Sequence, residues 1–346
     1  MDRVHLFAIA LALGVATAAV GWWWLRRRSR EAVEEVPPRP PAVPAPRASP
    51  GQRRLGRYVV EREIGRGASG VVYLGRDPDN DQPVAIKTLL LRRDADGEPG
   101  DAARERFLRE AQAAQRLQHP DIVAVLDAGE QGELGWIAME YVRGRDLTRY
   151  TEPRRLLPPP LALALGARIA RALAHAHSRG VVHRDVKPAN VIVDLPADTV
   201  KVADFGVAHL VDAERSRSGQ VFGTPSYMAP EQLAGRLVDG RADLYALGVV
   251  LFQLFSGRLP HEADSIGALL AAIANERAPD LRSVRPELPE SLADVVALAL
   301  EKRPEVRYAD GEQLAADLDA VAAQLERDAA PDVTSSHSRP GGSADD

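Results

Sequence analysis

The stretches HRDVKPAN at residues 183–190 and DFG at residues 204–206 decide how this sequence is interpreted. They combine carboxylates, a carboxamide and basic side chains over a short distance in the chain. Upstream, GRGASGVVY occupies residues 65–73 and VAIK occupies residues 84–87. Four short motifs therefore follow one another in order along one continuous segment.

The glycine-rich motif alone is a weak signal, because a turn in any hairpin uses glycine for its positive φ. VAIK predicts a strand that ends in Lys87, and an amphipathic helix is predicted after it. The apolar side of that helix carries Phe107, Leu108, Ala111, Ala114 and Leu117. A lysine on a strand and Glu110 on the neighbouring helix can form an ion pair that holds the lysine against phosphate oxygens. Taken singly, Glu110 would be one more charge on a solvated face.

In this order and spacing, the motifs resemble the eukaryotic-like (Hanks-type) Ser/Thr protein kinases of bacteria over residues 55–326. The resemblance implies an α+β, bilobal protein kinase fold, with a strand-rich N-lobe, a helical C-lobe and ATP in the cleft between them. It implies a non-specific serine/threonine protein kinase, with the reaction ATP + protein → ADP + phosphoprotein. Lys187, two residues after Asp185, is the Ser/Thr-type arrangement.

The resemblance also implies a nucleotide site in the N-lobe and hinge. Backbone N–H groups of the glycine-rich motif would cover the ATP phosphates, and Val72 would cap the adenine. Lys87 would hold the α- and β-phosphates, oriented by Glu110. The residues assigned to ATP are Ile64, Gly65, Arg66, Gly67, Gly70, Val72, Ala85, Lys87, Glu110, Met139, Glu140, Val142 and Asp146.

The apolar run around Met139 predicts a buried strand that leads to the hinge. Met139 resembles the gatekeeper of the family, and the backbone of Glu140 and Val142 would pair with the adenine edge. Asp146 is placed for the ribose, although a helix N-cap ahead of Leu147 suits it equally well.

The catalytic roles follow from the same resemblance. Asp185 would accept the proton of the substrate hydroxyl, and Lys187 would stabilise the transferring phosphoryl group. Asn190 and Asp204 would ligate Mg²⁺, or Mn²⁺ in its place, because oxygen ligands suit a hard ion and phosphates and water complete the shell. Thr224 would bond near Asp185 and help to select Ser and Thr hydroxyls.

Four further residues are expected to have structural roles. Glu231 and Arg307 would form a buried ion pair, and Asp243 resembles the residue that braces the catalytic loop. His183 would pack in the core rather than take part in acid–base chemistry.

Arg184, directly before Asp185, resembles the class of kinases whose activation loop is ordered by phosphorylation. Ser216 and Ser218 are the expected acceptors, autophosphorylated in trans within a kinase homodimer. Related kinases commonly carry threonines there, so serine is a departure. The alternative is a solvated polar loop with no such role.

Residues 4–25, VHLFAIALALGVATAAVGWWWL, contain no formally charged side chain and would cover about 30 Å as a helix, enough for a bilayer core. Tryptophans at the end suit the interface, and an arginine cluster follows. We expect an uncleaved anchor in the cell (inner) membrane, with residues 1–3 outside and the kinase domain cytoplasmic. A cleaved secretory signal is disfavoured because the apolar run continues into the tryptophans. A buried core helix is disfavoured by the adjoining arginines.

The remaining segments are set apart by composition. Residues 26–54 are basic and then proline-rich, which favours a semi-rigid spacer over the alternative of an SH3-like ligand. Residues 327–346 are polar and predicted to be disordered. With the anchor ahead of the kinase, we expect membrane clustering or a membrane partner to supply the input.

Composition excludes several other classes of protein. There are 44 Lys and Arg against 49 Asp and Glu, a formal charge of −5, so nucleic acid is not expected as a partner. The absence of cysteine excludes a disulfide-stapled scaffold.

His175 and His177 do not share a helical face, so packed histidines are expected rather than a metal pair. A nucleotide-binding pseudokinase scaffold remains as the competing hypothesis. An exported domain is disfavoured, because ATP and Mg²⁺ are supplied together in the cytoplasm.

Overall fold

The computed structural model describes residues 53–67, 70–91, 101–205 and 225–329, with the side chains of 101–103 and 329 not described. The chain divides into two units, and all the described residues fall within the second, residues 48–346. The predicted anchor at residues 4–25 lies outside the described residues. Among the helices that are described, none combines the length and the apolar character needed to cross a membrane.

The N-lobe is a six-stranded antiparallel sheet with one helix packed against it. Its strands follow the order β1-β2-β3-β4-β6-β5. The elements are β1 (Arg54–Leu55), β2 (Tyr58–Gly67), β3 (Gly70–Arg76), β4 (Pro83–Leu90), α1 (Asp101–Gln115), β5 (Val125–Gln131) and β6 (Leu134–Glu140).

Alternation along the central strand β4 divides the sheet into two faces. Val84 and Ile86 pack with Trp136 in a cluster on one face. Ala85 and Leu89 belong to a second cluster, which includes residues of α1. Lys87 lies two residues after Ala85 and two before Leu89, so its side chain is on the same face as theirs. It is almost fully buried. The strand continues to Leu90, so the prediction that it ends in Lys87 is wrong, because pairing with β6 extends three residues further. The strand still places this lysine on the same face as the cluster that includes α1.

The helix α1 confirms most of the predicted apolar side. Phe107, Ala111 and Ala114 are buried at the i, i+4, i+7 spacing of one helical stripe, and Leu117 is buried just after the helix ends. Leu108 was expected on the same side, but the prediction is wrong because it lies about 100° round the helix and is 36% exposed.

The C-lobe is mostly helical, with a small sheet β7-β8-β9 beside the cleft. Its strands are β7 (Arg145–Asp146), β8 (Val191–Asp194) and β9 (Thr199–Val202). Short 3₁₀ turns occupy Leu147–Tyr150, Pro188–Asn190, Pro225–Tyr227 and Pro304–Val306. Its helices are α2 (Pro159–His177), α3 (Pro230–Leu233), α4 (Gly240–Ser256), α5 (Ile266–Asn275), α6 (Leu281–Val284), α7 (Glu290–Ala299) and α8 (Gly311–Ala329).

The helix α4 forms the centre of the C-lobe core. It is apolar on nearly all sides, the pattern of a buried helix, and packs against α2 and α7. Gly248 allows α7 to come close, because a Cβ there would lie 2.9 Å from the Cβ of Ala299. The last helix, α8, continues to Ala329, three residues past the expected domain end at 326, with Leu325 packed against the core.

The two lobes are joined by a short parallel bridge as well as by the hinge. Ile122, in the segment between α1 and β5, pairs with Val202 at the end of β9. The N–H of Val123 donates to the carbonyl of Val202 at 2.9 Å, and the N–H of Val202 donates to the carbonyl of Asp121 at 2.8 Å. This bridge fixes the end of β9 against the N-lobe.

Candidate active site

The loop that carries the predicted catalytic residues is held by a buried carboxylate on α4. Asp243 accepts hydrogen bonds from the N–H of His183 at 2.8 Å and from the N–H of Arg184 at 2.7 Å. These contacts hold Arg184 at a φ of 66°, which a bulky residue rarely adopts. The predicted bracing role of Asp243 is therefore confirmed.

His177 contributes to the same bracing, which the sequence did not reveal. Its Nε2 lies 2.7 Å from Oδ2 of Asp243, and its ring packs against Gly240. Only the fold brings the end of α2 to the start of α4, so no spacing in the sequence could have indicated this contact.

Asp185 projects from the braced loop with one carboxylate oxygen occupied. Its Oδ2 accepts from Nζ of Lys187 at 2.7 Å and from Nδ2 of Asn190 at 3.0 Å. The same Asn190 nitrogen donates to the carbonyl of Asp185 at 2.8 Å, which leaves the amide oxygen of Asn190 directed elsewhere. Among the described residues, no donor contacts Oδ1 of Asp185, so this oxygen can meet an incoming hydroxyl.

Asp204 follows β9 and lies beside this cluster, since the N–H of the preceding residue, Ala203, donates to the carbonyl of Asn190 at 2.8 Å. It also joins the two lobes electrostatically. Nζ of Lys87 on β4 donates to its Oδ2 at 2.8 Å. Burial opposes ionisation of the Asp204 carboxyl, but the nearby Lys87 charge and hydrogen bond outweigh it and lower the pKa. The carboxylate is therefore ionised and available to a cation at neutral pH.

His183 confirms the expected packing role. It is fully buried, and its ring lies 4.6 Å from the ring of Phe205. Its Nε2 is 2.8 Å from the carbonyl oxygen of Ala203, so both neighbours of Asp204 are tied to the catalytic loop.

Glu110 does not form the expected pair with Lys87. Among the described contacts Lys87 is bonded to Asp204, whereas Oε2 of Glu110 is buried without a hydrogen-bond partner. Burial raises the pKa of Glu110 to about 7, partly offset by the positive charges of Arg184, Arg106 and Arg109. The position of α1 thus leaves this carboxyl unpaired, which costs about 1–3 kcal/mol for a buried polar group.

The glycine-rich hairpin presents backbone to the cleft. Gly65 pairs with Val72 and Gly67 with Gly70 across the β2–β3 turn, whose tip at residues 68–69 lies outside the described residues. Around Gly67 no atom of the described residues lies within 4 Å of an added Cβ. Gly70 has a φ of 137°, and a Cβ there would lie 1.8 Å from the carbonyl oxygen of Thr88. Glycine is therefore required at Gly70 by the fold, whereas the space at Gly67 is open to a ligand.

The end of the cleft next to the hinge is apolar. Ala85 and Met139 face each other in register and belong to the same buried cluster, which Val72 and Val142 flank. Ile64, on β2, is 37% exposed and does not belong to this cluster. The Arg66 guanidinium pairs with the carboxylate of Glu63 on the same strand. The part of Arg66 left to contact a nucleotide is therefore its backbone.

The hinge begins with Glu140, whose side chain forms an unpredicted clamp. Its Oε1 accepts from the N–H of Ala124 at 2.8 Å and from Nζ of Lys201 at 2.5 Å. Its own N–H donates to the carbonyl of Ala124 at 2.9 Å, so that group is already engaged. Lys201 lies on β9, three residues before Asp204, and no motif pointed to it.

Asp146 has the capping role that was one of its two readings. Its Oδ1 accepts from the N–H of Thr148 at 3.0 Å and begins the 3₁₀ turn that buries Leu147. The side chain is exposed beside the hinge, where contact with a ribose stays a prediction.

The expected pair of Glu231 and Arg307 is confirmed as a buried, bidentate ion pair. Nη1 and Nη2 of Arg307 lie 2.7 and 2.8 Å from the two carboxylate oxygens of Glu231. The guanidinium also stacks over the ring of Tyr245 at 4.9 Å.

Three predicted residues belong to the segment between Phe205 and Pro225. Ser216, Ser218 and Thr224 lie outside the described residues, as does Gly206 of the DFG motif. Across the part of the chain that is described, no group of three or more His, Cys, Asp or Glu side chains could hold a metal ion by itself.

Comparison with known proteins places this geometry in context. A model of the family described as "Protein kinase domain" matches residues 58–317. The chain is 38% identical over 269 residues to "Serine/threonine-protein kinase PrkC" of Bacillus subtilis, covering 78% of this chain and 41% of the relative. It is 39% identical over 288 residues to "Serine/threonine-protein kinase pkn3" of Myxococcus xanthus, covering 80% of this chain and 52% of the relative.

A solved structure gives the same result for the fold. The crystal structure of the Mycobacterium tuberculosis PknI kinase domain superposes with a TM-score of 0.63 at 35% sequence identity, covering 79% of this chain and 100% of that one. The chain spans 41–52% of the length of the two curated relatives above.

Proposed function

The chain belongs to the protein kinase family, and from this premise we propose that it transfers the γ-phosphoryl group of ATP to Ser and Thr hydroxyls of proteins. The observation that carries the proposal is the arrangement around Asp185. Lys187 and Asn190 occupy Oδ2 of its carboxylate, and Oδ1 is open to a substrate hydroxyl. Relatives named as serine/threonine-protein kinases support the choice of acceptor.

The proposed transfer requires positioning and charge neutralisation more than covalent help. The hydroxyl oxygen of the substrate forms a bond to the γ-phosphorus while the bond from that phosphorus to the β–γ bridging oxygen breaks, and ADP departs. The hydroxyl proton passes to Asp185. Lys187, held 2.7 Å from Asp185, supplies positive charge next to the transferring group.

The nucleotide would lie between the hairpin and the hinge. Backbone N–H groups of Gly65 and Gly67 would face the phosphates, and Val72 and Ala85 would cover the adenine. Beyond these, we assign to nucleotide binding Ile64, Arg66, Gly70, Lys87, Glu110, Met139, Glu140, Val142 and Asp146.

Asn190 and Asp204 fit a hard divalent cation. The nitrogen of the Asn190 amide is committed to Asp185, so its oxygen is the atom left to bind, and the Asp204 carboxyl is ionised. Mg²⁺, or Mn²⁺ in its place, would neutralise the phosphate charge when bound. Two protein ligands are too few for a stable site alone, so the cation is expected to bind together with ATP.

The experiment is transfer of ³²P from [γ-³²P]ATP by the full-length chain to a Ser/Thr peptide mixture, with phosphoamino acids identified after hydrolysis. Asp185→Asn should lose at least 100-fold in rate, while the matched exposed variant Asp264→Asn should keep the wild-type rate. ATP binding without any transfer in the wild type would refute the proposal and favour the pseudokinase scaffold.

We further propose autophosphorylation in trans on Ser216 or Ser218, with Arg184 receiving the phosphate and Thr224 positioning the acceptor. Support comes from Arg184 itself, whose Nε is buried without a partner among the described residues. A mixture of active chain and Asp185→Asn chain should label the inactive one on these serines. Labelling confined to other residues would contradict the assignment.

We propose that residues 4–25 anchor the chain in the cell (inner) membrane, with the kinase domain cytoplasmic. The composition of this segment is the support. Alkaline carbonate extraction of membranes should leave the chain in the pellet, and removal of residues 1–30 should release it. Solubility of the intact chain under these conditions would exclude the anchor.

A further inference from the structure

An exposed arginine surface lies beside the catalytic loop. We propose that it binds acidic residues on one flank of the phosphorylated Ser or Thr in protein substrates. The surface consists of Arg143, Arg145, Arg149, Arg154 and Arg258. The inference rests on the proposed kinase function and adds the chemical class of substrate to it.

The charge of this surface is not neutralised within the described structure. Residues 143–155 contain five arginines and two carboxylates, although the whole chain carries a formal charge of −5. Asp146 caps its own 3₁₀ turn, and Glu152 pairs with Arg155 at 3.5 Å. Across the described residues, the five side chains of the arginine surface make no ion pair or hydrogen bond. They are therefore available to a partner of opposite charge.

The fold places this surface next to the site of transfer. Arg145 and Asp146 on β7 pair with Val193 and Ile192 on β8, the strand that directly follows Asn190. At about 3.3 Å per residue along a strand and about 4.8 Å between strands, β7 lies within roughly 10 Å of Asn190. A peptide with its hydroxyl at Asp185 reaches this distance with three or four residues.

The surface continues away from β7 toward the end of α4. Burial of Leu147 turns Arg149 to the outside of the 3₁₀ turn. Farther on, Pro153 packs against Gly257, and the exposed Arg154 and Arg258 are the residues that directly follow these two in the chain. The arginines thus follow a path from the catalytic loop outward, as a series of contacts along an extended peptide requires.

A second segment, residues 225–233, contacts the catalytic loop at Arg184, the residue directly before Asp185. The Nε2 of Gln232 donates to the carbonyl of Arg184 at 3.1 Å. Residues 225–233 contain no arginine, and their one carboxylate, Glu231, is paired with Arg307. Acidic residues should therefore be preferred on the flank of the hydroxyl that lies along the arginine surface.

The test measures kcat/KM of the full-length chain for three peptides with one serine each. One has neutral flanks, one has three glutamates before the serine, and one has three after it. We expect one acidic peptide to exceed the neutral one by about tenfold at low salt, with the ratio falling as salt is added.

The charge-reversed variant Arg149→Glu/Arg154→Glu should lower the acidic-to-neutral ratio by at least tenfold and favour a lysine-flanked peptide instead. Arg62→Glu/Arg116→Glu changes two exposed, unpaired arginines of the N-lobe and is the matched control for charge. It should keep the wild-type ratio. Loss of the ratio in both variants, or no acidic preference in the wild type, would overturn the proposal.

Direct binding separates this inference from the proposed activity. Fluorescence anisotropy of the acidic peptide with full-length chain, without ATP, should show affinity that the Arg149→Glu/Arg154→Glu variant loses, even if no peptide is phosphorylated. If the variant binds the peptide normally but loses sedimentation with phosphatidylserine vesicles, the surface is a membrane contact and the proposal is wrong.

Discussion

Glu231→Gln should destabilise the C-lobe strongly, because it leaves a fully buried guanidinium without a counter-charge. The side chain of Arg307 has no exposed surface, and that of Glu231 is 7% exposed. Breaking a buried pair by removing one charge costs about 3–5 kcal/mol. The structure favours the upper part of this range, since water has no access to the guanidinium.

The hydrogen bonds around Arg307 indicate how much unfolding free energy each substitution should cost. Besides Glu231, its guanidinium donates to the carbonyls of Glu301 at 2.7 Å, Arg241 at 3.0 Å and Lys302 at 3.0 Å. All five N–H groups therefore have acceptors. Arg307→Met leaves the carboxylate and three carbonyls unpaired, so it should cost more than Glu231→Gln.

The assay is urea unfolding of the full-length chain followed by far-ultraviolet circular dichroism, which reports mainly the helices of the C-lobe. With a slope of about 2–3 kcal/mol per molar urea, a loss of about 4 kcal/mol lowers the midpoint by roughly 1.5 M. Glu326→Gln, an exposed change of the same chemistry on α8, should move the midpoint by less than about 0.3 M, since surface substitutions cost little.

A double-mutant cycle supplies the refuting outcome. If the two residues act as one pair, Glu231→Gln/Arg307→Met should cost at least about 2 kcal/mol less than the sum of the single changes. Additive losses, or a loss below about 1 kcal/mol for Glu231→Gln, would show that the pair is not a coupled, buried unit.

Three further predictions concern the N-lobe and hinge. The pKa of Glu110 is raised to about 7 in the folded chain, so the stability that its neutral form contributes is fully present below the pKa of the unfolded chain and is lost as pH rises through about 7. The Tm difference between wild type and Glu110→Gln should therefore widen in favour of the variant from pH 5 to pH 8. An unchanged difference would contradict this prediction. Lys201→Met removes the clamp on Glu140, so KM for ATP should rise about fivefold with a smaller change in kcat; an unaltered KM would refute a positioning role. Gly70→Ala places a Cβ 1.8 Å from a backbone oxygen and should lower Tm by several degrees, whereas Gly67→Ala, with open space, should stay within about 2 °C.

The sequence was sufficient for the fold class and for the residues of the catalytic loop. HRDVKPAN and DFG are each an unbroken run of residues, so each motif determines which side chains lie together on one short loop. Lys87 could be placed on a buried strand for a similar reason, because alternation along VAIK is a local property of the backbone. The buried pair of Glu231 with Arg307 was also predictable, although only through resemblance, since 76 residues separate the two.

Tertiary structure decided how those local pieces meet. Whether Lys87 pairs with Glu110 or with Asp204 depends on the position of α1 relative to the sheet, and no residue pattern encodes that position. His177 contacts Asp243 only because the end of α2 lies beside the start of α4. Lys201 contacts Glu140 only because β9 lies beside the hinge. Sequence patterns determine which groups are present and which way they face on one element. The packing of elements far apart in the chain determines which charges become neighbours, because electrostatic and hydrogen-bond energies depend on distances of a few ångströms that only the folded chain sets.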